Sequence, residues 1–132
     1  MNVRRTLVSV TTLFLSFNVL ADDVGYRFIA GDDSRYTHMC VKAGNNDLDG
    51  LKKMLYHDFD PRSDTVNTLY CNGQLISHFS AHYGAADTAK YLNKFSSWKN
   101  RLPKDVRQKI DLAKHQDDAT QLITLVVTSR QR

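Results

Sequence analysis

Two histidines in the middle of the chain, His78 and His82, are four residues apart. On a helix this spacing places both imidazoles on one face, which supplies half of the ligand set that zinc requires. No third ligand stands at a diagnostic spacing from them. The sequence therefore favours structural or surface histidines, with metal or small-ligand binding through His78 and His82 as the alternative.

Other residue combinations that could carry chemistry are incomplete. The segment Asn45-x-Asp47-x-Asp49-Gly50 matches the first half of an EF-hand calcium loop, but Tyr56 stands where the loop needs a bidentate Glu. The serines near the histidines lie outside any Gly-x-Ser-x-Gly segment, and no phosphate-binding glycine loop is present. The sequence therefore predicts that the protein is not an enzyme and needs no cofactor.

The first 21 residues have the features of a secretory signal peptide. Arg4 and Arg5 give it a positive start, residues 7–20 are mostly apolar, and Ala21 ends a small-residue cleavage site. The apolar run is too short to be read as a transmembrane span. We therefore expect residues 1–21 to be removed and residues 22–132 to be secreted as a single domain.

The chain has two cysteines, Cys40 and Cys71, and both follow the predicted signal peptide. In an oxidising compartment an even number of cysteines favours a disulfide. A Cys40–Cys71 bond would close a loop of about 30 residues and stabilise the fold by about 3–4 kcal/mol. Free or metal-bound thiols and an intermolecular bridge are the alternatives.

The charge balance argues against nucleic acid as a partner. The whole chain has 18 basic and 14 acidic residues, a net charge of +4. Removal of Arg4 and Arg5 leaves 16 basic residues against 14 acidic ones, a net charge of only +2. A surplus of this size does not indicate a nucleic-acid-binding protein.

A basic stretch lies beside Trp98, the only tryptophan. Its members are Lys99, Arg101, Lys104, Arg107 and Lys109. The simplest interpretation is the solvated face of a surface helix. The alternative is weak contact with an anionic surface, such as lipid headgroups, polysaccharide or an acidic protein.

Apolar residues recur at helical spacing in five segments, which predicts helices over residues 36–43, 48–55, 75–83, 87–95 and 104–114. Residues 22–31 form a lead-in that can be extended, residues 57–70 are predicted to be a loop, and residues 96–103 a linker. For residues 118–128 the spacing favours a sixth helix opened by Asp117 and Asp118. The Val and Thr content of this segment also allows a strand.

A shift of 38 residues aligns the first two predicted helices with the next two. The pairs are Ala43 with Ala81, Asn46 with Gly84, Asp49 with Asp87, Lys52 with Lys90, and Met54 with Leu92. Internal repeats of this length are typical of arrays of helical hairpins.

Residues 72–92 resemble one ankyrin repeat, through Asn72-Gly73, His78, Gly84 and the acid and Lys-x-Leu that follow. The Thr-Pro that opens the first helix of that motif is absent. The resemblance implies an all-α domain over residues 22–132, built of stacked ankyrin-like helical hairpins with a C-terminal helical cap and one disulfide.

A second resemblance is to a family of small secreted bacterial proteins of unknown function. It rests on residues 28–34, 39–43 and 46–48 and on Cys71-Asn72-Gly73-Gln74. It covers residues 26–92 and leaves residues 96–132 as a C-terminal extension. The resemblance implies a protein of the bacterial envelope, in the periplasm, and brings no known activity.

The leading functional hypothesis is a small non-enzymatic protein-binding module that contacts an unidentified envelope protein. Exposed hairpin tips and loops are the surfaces that repeat proteins use for such contacts. The candidate contact residues are Tyr70, Asn72 and Gln74, together with the loop at 57–64. For Asn72-Gly73 the simpler role is to shape a turn.

Overall fold

The computed structural model describes residues 24–57, 62–112 and 121–132, so the predicted signal peptide lies outside the described residues. In these ranges the chain is a mixed α/β fold with six helices and two small sheets. The helices are α1 (Arg35–Gly44), α2 (Leu48–Tyr56), α3 (Arg62–Thr68), α4 (Ile76–His82), α5 (Ala86–Asn93) and α6 (Lys104–Leu112). The strands are β1 (Val24–Ala30), β2 (Leu69–Cys71), β3 (Gln74–Leu75), β4 (Gln121–Val127) and β5 (Ser129–Gln131). Within the described ranges, no helix is long and apolar enough to span a bilayer.

The prediction of an all-α fold is wrong, because the C-terminal segment is a strand and not a helical cap. β4 pairs in parallel with β1, from Val24 opposite Gln121 to Ala30 opposite Val127. β5 pairs with β2, which also pairs with β3. The β-branched residues of β4 favour this extended form once β1 offers a partner. The residues predicted to cap a sixth helix, Asp117 and Asp118, lie outside the described residues.

The prediction of a loop over residues 57–70 is also wrong for its second half, which forms α3 and the start of β2. Residues 58–61 lie outside the described residues. Thr65 and Val66 are buried, and packing of this one face stabilises a helix whose sequence is otherwise polar.

The five helices predicted from apolar spacing are confirmed as α1, α2, α4, α5 and α6, and the lead-in contains the strand β1. Residues 22 and 23 of the lead-in and residues 113 and 114 of the last predicted helix lie outside the described residues. The two hairpin turns carry matching backbone conformations. Asn46 and Gly84, which align under the 38-residue shift, have φ angles of 57° and 74°. The hairpins are nevertheless not a stacked array, since α3, β2 and β3 lie between them and strands from both ends of the chain join the fold.

The buried apolar residues form two clusters. The main core comprises Phe28, Met39, Cys40, Ala43, Leu51, Leu55, Val66, Leu69, Cys71, Ile76, Phe79, Leu92 and Val127. The small core comprises Ala86, Ala89, Leu102 and Ile110, with Ala81 and Val106 packed against it. The predicted disulfide between Cys40 and Cys71 is confirmed, and it links α1 to β2 inside the main core.

Aromatic rings join β1 to the helices of the main core. The rings of Phe28, Phe79 and Tyr83 pack with centroids 4.8–5.2 Å apart. Gly44 allows this approach, because a Cβ at that position would lie 2.5 Å from the Phe28 ring and 2.8 Å from the Phe79 ring. The N-terminal strand is therefore an integral part of the core.

Two asparagines occupy the outer edges of the β1–β4 sheet. The Asn45 carboxamide accepts from Phe28 N at 2.7 Å and donates to Phe28 O at 2.9 Å. The Asn72 carboxamide donates to Val126 O at 3.1 Å and accepts from Thr128 N at 2.9 Å. Each side chain thus stands in for a neighbouring strand and protects part of an edge that would otherwise be open.

Candidate functional site

A groove of about 400 Å³ lies between α4 and the segment that runs into α6. Its floor is apolar, because the buried Leu102 and Ile110 of the small core lie there. Four polar side chains line the same groove. The lining residues are Gln74, His78, Ala81, His82, Leu102, Pro103, Val106, Lys109 and Ile110.

Helix α4 positions the two histidines. His78 and His82 are one turn apart and therefore share a face of the helix. The turn at Asn72 and Gly73 has φ angles of 47° and 82°, which is the type I′ pattern, and it joins β2 to β3. β3 then places Gln74 at the start of the same face.

Hydrogen bonding fixes the tautomer of His78. Its Nε2 lies 2.9 Å from the carbonyl oxygen of Asn100. Because a carbonyl oxygen only accepts, Nε2 carries the proton and donates it, and Nδ1 is the ring nitrogen left for another partner. His78 is half-buried, whereas His82 is exposed and packs edge-on against the Tyr83 ring.

Nothing in the described ranges supplies further metal ligands to this pair. No group of three or more His, Cys, Asp or Glu side chains comes together in that part of the chain. The two histidines alone supply two of the four ligands of a tetrahedral zinc site.

Helix α6 forms the opposite wall. Val106, Lys109 and Ile110 lie at i, i+3 and i+4 and so share the face that lines the groove. Of the five residues in the predicted basic stretch, Lys109 lines the groove. The other four, which are exposed, are Lys99, Arg101, Lys104 and Arg107. An ion pair at 3.2 Å between Lys90 and Asp111 joins α5 to α6.

Asparagine side chains hold the segment that leads into α6. Asn67 Oδ1 accepts from Ser97 N at 2.8 Å and from Asn100 Nδ2 at 3.0 Å. Asn93 Oδ1 accepts from Leu102 N at 2.9 Å. These bonds fix the segment that contributes Leu102 and Pro103 to the lining of the groove.

The three predicted contact residues separate in the structure. Gln74 lines the groove. The Asn72 carboxamide is engaged by the β4–β5 backbone. The Tyr70 ring lies 6.0 Å and 4.8 Å from the guanidinium carbons of Arg130 and Arg132. The structure thus brings Gln74 together with His78 and His82, and it places Tyr70 and Asn72 in the β2–β5 region.

Sequence reasoning missed Leu102 and Pro103 as site residues, and it included Val106 and Ile110 only through the apolar spacing of the helix predicted over residues 104–114. One feature of the sequence could have pointed to them: the apolar face of α6 has to pack against another part of the chain. Nothing in the spacing indicates that its partner is α4, because the hydrogen bonds of residues 96–103 decide where the chain turns.

The lining residues determine what the groove can hold. An apolar floor with an amide, two imidazoles and one ammonium group suits a small molecule with a hydrocarbon part and a polar or anionic head. Comparisons of the chain with protein-family models, with curated proteins and with solved structures gave no match.

Proposed function

We propose that this chain is a secreted, non-enzymatic binding protein of the bacterial envelope and that the α4–α6 groove holds its ligand. One observation carries the proposal: Gln74, His78, His82 and Lys109 converge around an apolar floor. The signal-like leader supports secretion, and so does the Cys40–Cys71 disulfide, since structural disulfides persist in oxidising compartments.

The ligand expected from this chemistry is a small amphipathic anion, such as a carboxylate with an aliphatic or aromatic tail. The tail would cover Leu102, Val106 and Ile110 and remove their exposed area from water. The head group would accept hydrogen bonds from the Lys109 ammonium and from the Gln74 amide.

The test is an amide-detected NMR titration of the purified protein with straight-chain and aromatic carboxylates. Their methyl esters serve as neutral controls, and zinc alone is a separate arm. We expect saturable shifts centred on Gln74, His78 and Lys109 with the carboxylates and much smaller shifts with the esters. Lys109→Gln weakens binding, whereas Lys52→Gln, which removes an exposed charge from α2, leaves it unchanged.

Two results would overturn this assignment. Carboxylate shifts scattered over the surface, or unchanged by Lys109→Gln, would remove the groove as the site. Saturable zinc binding that moves only the His78 and His82 resonances would replace it with the metal-binding alternative.

A second candidate function is binding of an envelope protein, and one feature of the β1–β4 sheet favours it. Ile29, Leu122 and Val126 are 44%, 60% and 57% exposed. They lie on the same outward face, with Ile29 opposite Val126 in the register. Parallel strands usually have both faces covered. An extended segment of a partner protein would lie along β4, beyond the part of its edge that Asn72 occupies.

This candidate is tested by capture from an envelope extract with the wild-type protein and with Leu122→Lys as baits. Binding along β4 would be supported by a protein that the wild-type bait retains and the Leu122→Lys bait loses. The same protein should be captured by a cross-linker placed at Thr124, which lies between Leu122 and Val126 on the outward face of β4. Equal retention by both baits would exclude the sheet as the docking surface. Tyr56→Lys is the matched control, because Tyr56 is similarly exposed on α2.

A further inference from the structure

The fold leaves the side chain of Trp98 exposed to solvent. Its side chain is 80% exposed, the largest value among the exposed large hydrophobic residues of the described chain. It lies in the turn of residues 96–102 between α5 and α6, and it is the only tryptophan in the protein.

The turn that presents Trp98 is tied down on both sides. Ser97 N donates to Asn67 Oδ1, and Asn100 N donates to Ser97 O at 2.9 Å. The Asn100 carbonyl accepts from His78, and Leu102 N donates to Asn93. The neighbouring Phe95 and Leu102 pack against the two cores. The indole is therefore presented outward by an anchored turn rather than by a free loop end.

Basic residues flank Trp98 in the sequence. Residues 94–104 contain four basic residues and no acidic one, and all four are exposed: Lys94, Lys99, Arg101 and Lys104. The Lys99 ammonium lies 5.7 Å from the centroid of the Trp98 ring. An outward indole among lysines and arginines is the combination that the interface of an anionic bilayer attracts, by partitioning of the ring and by charge.

We propose that the Trp98 turn docks this protein on an anionic phospholipid surface. The indole enters the boundary between headgroups and acyl chains, and the four basic side chains meet lipid phosphates. Lipid is favoured because a bilayer interface combines anionic headgroups with an apolar layer that the ring can enter. The inference depends on the turn alone and holds whether or not the α4–α6 groove binds a ligand.

The single tryptophan makes the test direct. Vesicles of equal parts phosphatidylglycerol and phosphatidylcholine are added to the purified protein, and the tryptophan emission is recorded. We expect a blue shift that saturates, quenching by brominated lipid, and loss of binding as salt is raised. Vesicles of phosphatidylcholine alone should give no shift. Mass spectrometry must first show that residues 1–21 are absent, because an apolar leader would itself bind vesicles.

Variants are compared by co-sedimentation with vesicles, which does not need the tryptophan. Lys99→Gln with Arg101→Gln should weaken binding by about twenty-five-fold, at about fivefold for each charge. Trp98→Ala should weaken it by about tenfold, and Trp98→Phe by less. The matched control is Arg27→Gln with Arg130→Gln, which removes the same charge from two exposed positions in the sheets and should keep the wild-type affinity.

The membrane proposal is overturned if the emission does not shift with anionic vesicles. It is also overturned if the control pair weakens binding as much as the Lys99 and Arg101 pair. The affinities for glycerol phosphate and for a sulfated polysaccharide are measured in the same way. If either affinity equals that for anionic vesicles and is unchanged by Trp98→Ala, the basic residues bind a soluble anion instead of a membrane.

Discussion

The main core and the small core are stabilised in different ways. The main core contains the disulfide, the cluster of Phe28, Phe79 and Tyr83, and strands from distant parts of the chain. The small core has four buried side chains, two of which are alanines. The segment at 96–112 is therefore expected to open more readily than α1 or α4, and the groove wall and the Trp98 turn both belong to it.

Loss of the disulfide and loss of one large side chain from the main core should have the largest effects, and the disulfide is the first test. Changing both Cys40 and Cys71 to Ala should lower the free energy of unfolding by about 3–4 kcal/mol, because the unfolded chain regains the freedom of a loop of about 30 residues. Urea denaturation followed by circular dichroism measures the change. A loss below about 1 kcal/mol would show that the main core is not stabilised mainly by its covalent link.

Removing one large side chain from each core compares them directly. Phe79→Ala should cost about 3–5 kcal/mol, since its ring contacts two other aromatic rings in a closed cluster. Ile110→Ala should cost about 2–3 kcal/mol, because the small core lies beside an open groove into which the structure can relax. Denaturation gives both values.

Hydrogen exchange locates the two effects. Ile110→Ala should speed exchange in α6 and leave α1 unchanged, whereas Phe79→Ala should speed exchange in both. If Ile110→Ala speeds exchange in α1 as much as in α6, the division into two cores is contradicted. Ile29→Ala, at an exposed position, is the control and should change the free energy of unfolding by less than about 0.5 kcal/mol.

Much of the helical structure can be predicted from the sequence because it is local. The spacing of Met39, Cys40 and Ala43 marks the buried face of α1, and comparable spacings mark the four other predicted helices. The polar sequence of α3 has no such pattern, and its buried residues, Thr65 and Val66, are selected by the surrounding core.

The sheet could not be predicted in the same way. Leu122 and Val126 are four residues apart, which also fits one face of a helix, and both turn out to be exposed on a strand. The choice depends on β1, whose Val24 pairs with Gln121 across most of the chain. The groove could not be predicted for the same reason. The spacing of apolar residues predicts the faces of α4 and α6 separately, and the hydrogen bonds to the Asn67 and Asn93 side chains bring the two helices together.

Asn46 connects the two helical hairpins, α1–α2 and α4–α5, so its removal should weaken the packing of one against the other. Its Oδ1 accepts from Asp87 N at 2.9 Å and from Thr88 N at 3.1 Å, which caps α5 from the turn of the first hairpin. Asn46→Gly keeps the left-handed backbone and should cost about 1 kcal/mol through loss of the cap. Asn46→Ala should cost about 2 kcal/mol, since alanine also strains the positive φ.

Gly84 provides the matched comparison for this cap. It has the same left-handed conformation in the second hairpin and has no side chain to lose. Gly84→Ala should therefore show the backbone cost alone, about 1 kcal/mol. If Asn46→Gly and the wild type have equal free energies of unfolding, the cap is not what joins the hairpins.

The smallest expected effect is the pH dependence that Asp47 contributes. A hydrogen bond from Lys42, at 2.8 Å, and another from Gly50 N lower the pKa of the Asp47 carboxyl below its ordinary value. A lowered pKa contributes stability that is present above the ordinary value, about 4, and is lost as pH falls through the folded pKa.

Asp47→Asn keeps a helix cap and removes the charge, so the wild type should be the more stable at pH 7 and the difference should shrink below about pH 4. Both side chains are about 40% exposed, so salt should also reduce the difference. A difference that grows on acidification would show that the carboxylate is not what Lys42 and Gly50 stabilise.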